Sequence, residues 1–223
     1  CTQNPLNNYF QDAQYSNGTL RVNLGDVSTA YPPSTGTLGV AAGLWYFEVK
    51  CVQAAVDNNQ IVGFLSSTGL QSTSRELGYY STDWGYYGYA GAIRNNNGNT
   101  SYGDTWTTDD IIGCYLDLTA NKLYFAKNGT LQDSGTGVDI TAIANTPLKY
   151  YLPAVCFYGN AVTSFICEVN YGNGYFGTTE ITSPEADEGG VGAFKYDPSA
   201  GTFDSTSKDF RAICTKNIKL YGG

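Results

Sequence analysis

The sequence predicts an all-β protein: a two-sheet antiparallel β-sandwich with a short C-terminal extension. Three observations carry this. Short runs of aromatic and β-branched residues recur between loops of Gly, Asn, Ser and Thr, which is the spacing of sandwich strands. Two such runs are joined by a polar break and close on Asn128-Gly129, a dipeptide that supplies the positive φ a tight reversal needs. No apolar stripe of helical period runs longer than about two turns.

In chain order, Leu44 to Val52 is the first long run, apolar at its start and alternating over its second half. Ile61 to Leu65 is a short buried run. Ile111 to Leu118 and Lys122 to Lys127 flank the break at Thr119-Ala120-Asn121 and form a hairpin. Tyr150 to Tyr158 and Thr163 to Val169 complete the strands, and Val138 to Ala144 has room for one short helical turn. Trp45, Phe47, Ile112, Leu116, Leu123 and Phe125 are the expected core. Gly113 reads as a close-packing position, and Asp110 and Asp117 as carboxylates that hold turns.

The composition shifts near residue 178. The sandwich is assigned to residues 1–177 and the extension to 178–223, packing on the sandwich or on a neighbouring module. Glu180 to Gly192 carries Glu180, Glu185, Asp187 and Glu188 with Pro184 and no base, which reads as an exposed acidic loop. The rest has two aromatic anchors, Phe194 to Tyr196 and Phe210 to Ile213, too little for a large core of its own.

Composition excludes several functions. The chain has 223 residues, 27 Gly, 19 Tyr, 10 Phe, no His and no Met. Without an imidazole there is no Ser-His-Asp or Cys-His catalysis and no His-ligated zinc. A net charge of −8 argues against nucleic acid, whose phosphates need clustered Lys and Arg. No run approaches the roughly 18 apolar residues of a membrane span. The missing Met marks a piece of a longer or processed chain, and Cys1-Thr2-Gln3-Asn4 echoes Cys214-Thr215-Lys216-Asn217 as a repeated junction. Of the six cysteines, five lie in strand-like runs and none forms a CxxC pair. They read as reduced thiols buried as small hydrophobes.

These runs, in this order, resemble a SPRY domain. The matching pieces are Gly43 to Val49, Ile61 to Phe64, Asp110 to Leu118, Leu123 to Gly129 and Leu152 to Val155. The Asp-Ile-Ile-Gly to Lys-Asn-Gly block is the most specific of them, and the resemblance spans roughly residues 15–172. It implies a concanavalin-like jelly-roll sandwich that binds rather than catalyses. The opening Asn4 to Asn8 with Ser16 to Leu20, and the closing Asp209 to Asn217, look like the ends of SPRY modules in tailed-phage structural proteins; Gln3 departs from that pattern, where a larger apolar residue is expected. The expectation is a structural module of a phage fibre, spike or appendage. Such a module is made in the host cytoplasm, resides in the virion, and contacts copies of itself, other virion proteins, or a host-surface glycan or protein. The alternatives are an intracellular SPRY adaptor binding a short peptide, and a carbohydrate-active enzyme.

Candidate chemistry is sparse. Gly172 to Gly177 matches GxGxxG, but Thr178 to Pro184 does not open the helix that pattern needs at its end, so it reads as a glycine loop. Glu48 and Glu168 are strand carboxylates that an enzyme would have to aim across one groove. No EF-hand-like spacing or P-loop occurs, and no cofactor, metal or catalytic residue is assigned. Leu77 to Tyr89 holds six aromatics in thirteen residues. Rings with polar tips beside amides suit a sugar face or a protein interface. Tyr79, Tyr80, Trp84 and Tyr86, with Arg94 and Asn96, are the candidate ligand residues. Tyr87 and Tyr89 are assigned to the core.

Overall fold

The computed structural model describes residues 1–7, 13–25, 33–67, 75–158 and 164–222. Three residues used above, Asn8, Thr163 and Gly223, lie outside this set. The strands are β1 (Ala13–Ser16), β2 (Arg21–Leu24), β3 (Ser34–Thr35), β4 (Leu44–Gln53), β5 (Gln60–Leu65), β6 (Asp83–Tyr87), β7 (Ala92–Asn95), β8 (Gly98–Ser101), β9 (Ile111–Asp117) and β10 (Lys122–Lys127). They continue with β11 (Thr130–Leu131), β12 (Val138–Asp139), β13 (Leu152–Phe157), β14 (Phe165–Asn170), β15 (Tyr175–Phe176), β16 (Thr179–Glu180), β17 (Glu185–Ala186), β18 (Ala193–Phe194) and β19 (Arg211–Ala212). One helix, α1 (Thr215–Tyr221), closes the described chain.

Two large sheets face each other. The first runs β1-β2-β14-β4-β9-β10-β11, with β12 beside β10. β14 pairs with β4 from Glu48 to Gln53, and β19 runs parallel beside the remaining Trp45 and Tyr46. The second runs β3-β13-β5-β6-β7-β8. The predicted hairpin is β9–β10, and Asn128-Gly129 joins β10 to β11 with φ values of 51° and 81°.

Side chains alternate across β4 with the period of two that a strand imposes. Trp45, Phe47, Val49 and Cys51 point into the core between the sheets, together with Ile112, Leu116, Leu123 and Phe125. The sheets meet there through contacts such as Phe47 on Phe64, ring centroids 5.2 Å apart and edge-on. Tyr46 and Glu48 point to the opposite face, and both are fully buried. A strand covered on both faces loses its polar alternation, which is why the start of β4 reads as continuously apolar. Gly113 lies under Tyr46: a Cβ there would sit 2.8 Å from the Tyr46 hydroxyl.

Residues 185–213 cover that second face. Phe194 packs on Tyr46 with centroids 4.8 Å apart, Phe210 on Tyr115 at 5.0 Å, and Phe203 on Tyr124 at 5.1 Å. Two buried carboxylates fasten this layer. Glu48 accepts from the Lys195 and Tyr196 backbone N–H groups at 2.9 Å each, and from the Tyr46 hydroxyl and the Asn170 amide at 3.1 Å each. Asp187 accepts from the Val191, Gly192 and Ala212 N–H groups and the Asn217 amide, each at 2.8 Å. The acidic stretch is therefore not wholly exposed: Glu180, Glu185 and Glu188 are, while Asp187 is buried. A polar residue surrounded by donors can sit inside, and charge alone does not reveal its partners.

Other sequence features find structural roles. Asp117 accepts from the Thr119 and Ala120 N–H groups at 2.8 Å and from the Lys208 ammonium at 2.7 Å. Gln3 is fully buried, its carboxamide 2.8 Å from both the Tyr171 and Ser34 hydroxyls. A polar side chain thus fills a site where an apolar one was expected. Gly172, Gly174 and Gly177 all have positive φ, and a β15–β16 hairpin follows rather than a helix. All six cysteines are free thiols. No helix among the described residues is long and apolar enough to cross a membrane.

Candidate interaction surface

The outer face of the second sheet carries Ile61, Leu65, Leu77, Tyr87, Leu152, Ala154 and Cys156. Leu77 belongs to residues 75–80, which lie over this face. Aromatic side chains emerge around that cover. Tyr79 and Tyr80 are half-buried and meet edge-on at 5.2 Å, with the Arg75 guanidinium 4.2 Å from the Tyr79 ring centre. Tyr89 is 59 % and Tyr158 39 % exposed. The buried Tyr87 ring lies 5.9 Å from that of Tyr89, and its hydroxyl donates to Asn59. Burial of that hydroxyl pushes its pKa up to about 12.

Arg94 and Glu76 hold this shelf in place. Arg94 Nε donates to Glu76 Oε1 at 2.9 Å and a second nitrogen donates to the same oxygen, so the pair is forked. Both side chains are almost wholly buried, 6 % and 4 % exposed. Two further guanidinium N–H groups donate to the Asn97 and Asn99 side-chain oxygens at 3.1 Å each, and Tyr158 lies over the cation at 4.8 Å. Burial also raises the Asp83 carboxyl to about 6, against the Ser67 hydroxyl and N–H that bond it.

The six candidates from the sequence separate accordingly. Tyr79 and Tyr80 lie on the shelf. Arg94 lies beneath it, with its charge matched by Glu76 and each of its three nitrogens bonded inside the protein. Tyr86 points the other way and is fully buried, its ring 5.3 Å from Phe125 and its hydroxyl bonded to the Asp104 carbonyl. The strand period decides this, because Tyr86 faces inward while Tyr87 faces out. Trp84 shares the inner face with Tyr86 and is half-buried at the open edge of the sandwich. Asn96 is a turn residue: with Asn97 it forms the two-residue β7–β8 loop, φ 49° and 57°, as a type I′ reversal requires. Asn96→Val should therefore lower stability by about 1 kcal/mol or more, since a β-branched residue is strained at positive φ, while Asn96→Gly should be neutral. Thermal melts of the two variants check this.

Tyr89, which the sequence analysis assigns to the core, is instead exposed and belongs to the shelf, as does Tyr158, which is not among the sequence candidates. Tyr89 has the parity of Tyr87, but β6 ends at Tyr87, so alternation no longer places it. Tyr158 sits one residue past the end of β13. The carboxylates weighed for hydrolysis are closed off. Glu48 is enclosed by its four donors, and burial raises it to about 7 in spite of them. Glu168 is ion-paired with Arg21 at 2.5 Å. A cavity of 570 Å³ between the N-terminal segment and α1 has, among the described residues, one charged side chain in its lining, Lys149. Its ammonium already donates to the Ala144 carbonyl at 2.7 Å.

Residues 44–169 match the sequence profile of the SPRY domain. Ran-binding protein 9 of Xenopus tropicalis is 37 % identical over 120 residues, covering 51 % of this chain and 22 % of that protein. Human Ran-binding protein 9 is 36 % identical over 97 residues, 43 % of this chain and 13 % of that protein. The Drosophila melanogaster Ran-binding proteins 9/10 homolog is 34 % identical over 128 residues, 56 % of this chain and 12 % of that protein. The chain thus spans less than a quarter of the length of these relatives. Among solved structures, a human SPRY domain superposes with a TM-score of 0.55 at 16 % identity, covering 70 % of this chain and 93 % of that one. The SPRY domain of human HERC1 superposes with a TM-score of 0.54 at 20 % identity, covering 71 % and 92 %. The expected virion location is overturned by these relatives, which are proteins of frog, human and fly. The flanking segments misled because the matched part of the chain is the sandwich, not its ends.

Proposed function

The chain belongs to the SPRY domain family, and on that premise we propose that it is a non-enzymatic adaptor module that binds a short segment of a partner protein on the tyrosine shelf. The observation that carries this is the shelf itself. Tyr79, Tyr80, Tyr89 and Tyr158 are exposed or half-exposed, yet they are backed by a buried, forked Arg94–Glu76 pair. Tyr offers large contact area with few rotatable bonds, and a rigid backing lowers the ordering cost of binding. The relatives are Ran-binding proteins, and their protein ligand supports a protein over a sugar as the class of partner. Cys51, Cys114, Cys156 and Cys167 are buried free thiols, which suits a reducing compartment.

A displayed random-peptide library selected on the immobilised chain tests this. Selected peptides should lose at least tenfold in affinity on Tyr79→Ala and on Tyr158→Ala. They should bind Asn96→Gly as they bind the parent. Peptides that bind both tyrosine variants unchanged would remove the shelf from the reading.

A further inference from the structure

The same sheet ends in an exposed edge away from the shelf. β8 is the edge strand, and Gly98, Asn99, Thr100 and Ser101 are all exposed. Its hydrogen-bonding phase follows from the register. Asn95 pairs with Gly98 across a two-residue turn, Ile93 pairs with Thr100, and the Tyr102 N–H donates to the Gly91 carbonyl at 3.2 Å. Alternate residues of an antiparallel strand direct both backbone groups to the same side. Gly98, Thr100 and Tyr102 therefore face β7. Asn99 and Ser101 turn their N–H and C=O groups outward, where no partner is present among the described residues.

Beside this edge the sandwich is open. Trp84 and Ile93 of the second sheet, Tyr102 just past β8 and Val138 of β12 line a cavity of 330 Å³, whose mouth is formed by β8 and by Asp133. Thr100 shares the inward face with Ile93, so a strand laid along β8 would direct alternate side chains into this space. β8 is a short edge of four residues, with none of the Lys, Pro or bulges that also blunt exposed edges. Asp133 is exposed and forms no ion pair with a described residue. The chain as a whole carries −8, which disfavours a second copy at this edge and favours a basic guest.

We propose that β8 receives an extended peptide as an added strand, with an apolar side chain in the Trp84–Ile93–Tyr102 cavity and a Lys or Arg beside it facing Asp133. The site is separate from the tyrosine shelf and does not rest on it.

The test is an array of immobilised octapeptides, alternating threonine with a central Leu, Ile, Phe or Trp flanked by Lys, and the same set with Glu in place of Lys. The Lys set should bind at least fivefold better than the Glu set. Ser101→Pro removes one outward N–H and leaves the β7 ladder intact, so it should abolish binding. Asp133→Asn, a change that tolerates the positive φ of 47° there, should erase the preference for Lys without disturbing the edge. Tyr158→Ala should bind as the parent does. Absence of binding by every peptide, equal binding of the Lys and Glu sets, or unchanged binding by Ser101→Pro would overturn the proposal. So would a dimer in sedimentation that Ser101→Pro dissociates, because the edge would then belong to a second copy.

Discussion

Arg94→Met is expected to cost the folded chain about 3–5 kcal/mol, the loss typical of removing one partner from a buried ion pair. The Glu76 carboxylate would stay buried against the sheet without the forked donor that neutralises it. Asn97 and Asn99 would lose donors, and Tyr158 the cation beneath its ring. The double variant Arg94→Met/Glu76→Leu should recover most of the loss, since an apolar pair of similar volume can replace a buried ion pair at little net cost. Urea unfolding of the two single variants and the double one measures this coupling directly. If Arg94 were instead a ligand contact, Arg94→Met would leave the urea midpoint unchanged, and the double variant would show no recovery.

The second large effect is a fall in stability as pH rises from about 4.5 to 7. Burial raises Glu48 to about 7 and Asp83 to about 6. A carboxyl whose folded pKa lies above its unfolded value keeps its proton longer in the folded state. Its contribution is complete below the unfolded pKa and is lost as pH rises through the folded one. For Glu48 the interval from 4.5 to about 7 corresponds to about 3 kcal/mol. Asp187 and Asp204 act in the opposite direction at lower pH. Burial pushes Asp187 up, but its three N–H donors and the Asn217 amide outweigh that and leave it lowered. The Gly137 N–H is the main cause that lowers Asp204. The stability these two supply is present above the ordinary carboxyl range and is lost only on acidification below it. With no His in the chain, no imidazole titrates in the window. Glu48→Gln should flatten most of the slope between pH 4.5 and 7. It should also lower stability at pH 7 by about 1–3 kcal/mol, because its amide N–H groups would face donors. Equilibrium unfolding at several pH values reads both effects, and a flat profile in the parent chain would contradict the assignment.

The two findings explain what the sequence could and could not disclose. Strands such as β9 and β10 were legible because each makes its own signal: apolar runs, a polar break and an Asn-Gly turn lie within twenty residues of one another. Tyr86 and Tyr89 were not, because a tyrosine's face depends on where its strand stops, and composition does not mark that point. Arg94 read as a ligand group because its partner, Glu76, is eighteen residues away and approaches only after the second sheet forms. Glu48 and Asp187 are harder still. Two of the four donors that make Glu48 tolerable inside are backbone N–H groups almost 150 residues further on, and every residue except proline carries such a group. Local chemistry was legible, and long-range polar satisfaction was not.

Hydrogen–deuterium exchange of the chain with and without a library-selected peptide tests the central claim most directly. The account predicts slowed exchange confined to residues 75–80, 87–89 and 157–158, the backbone beneath the tyrosine shelf, with 185–213 unchanged. Protection that fell instead on the 185–213 layer, with none at 75–80, would show that binding occurs on the opposite side of the sandwich and would contradict the account.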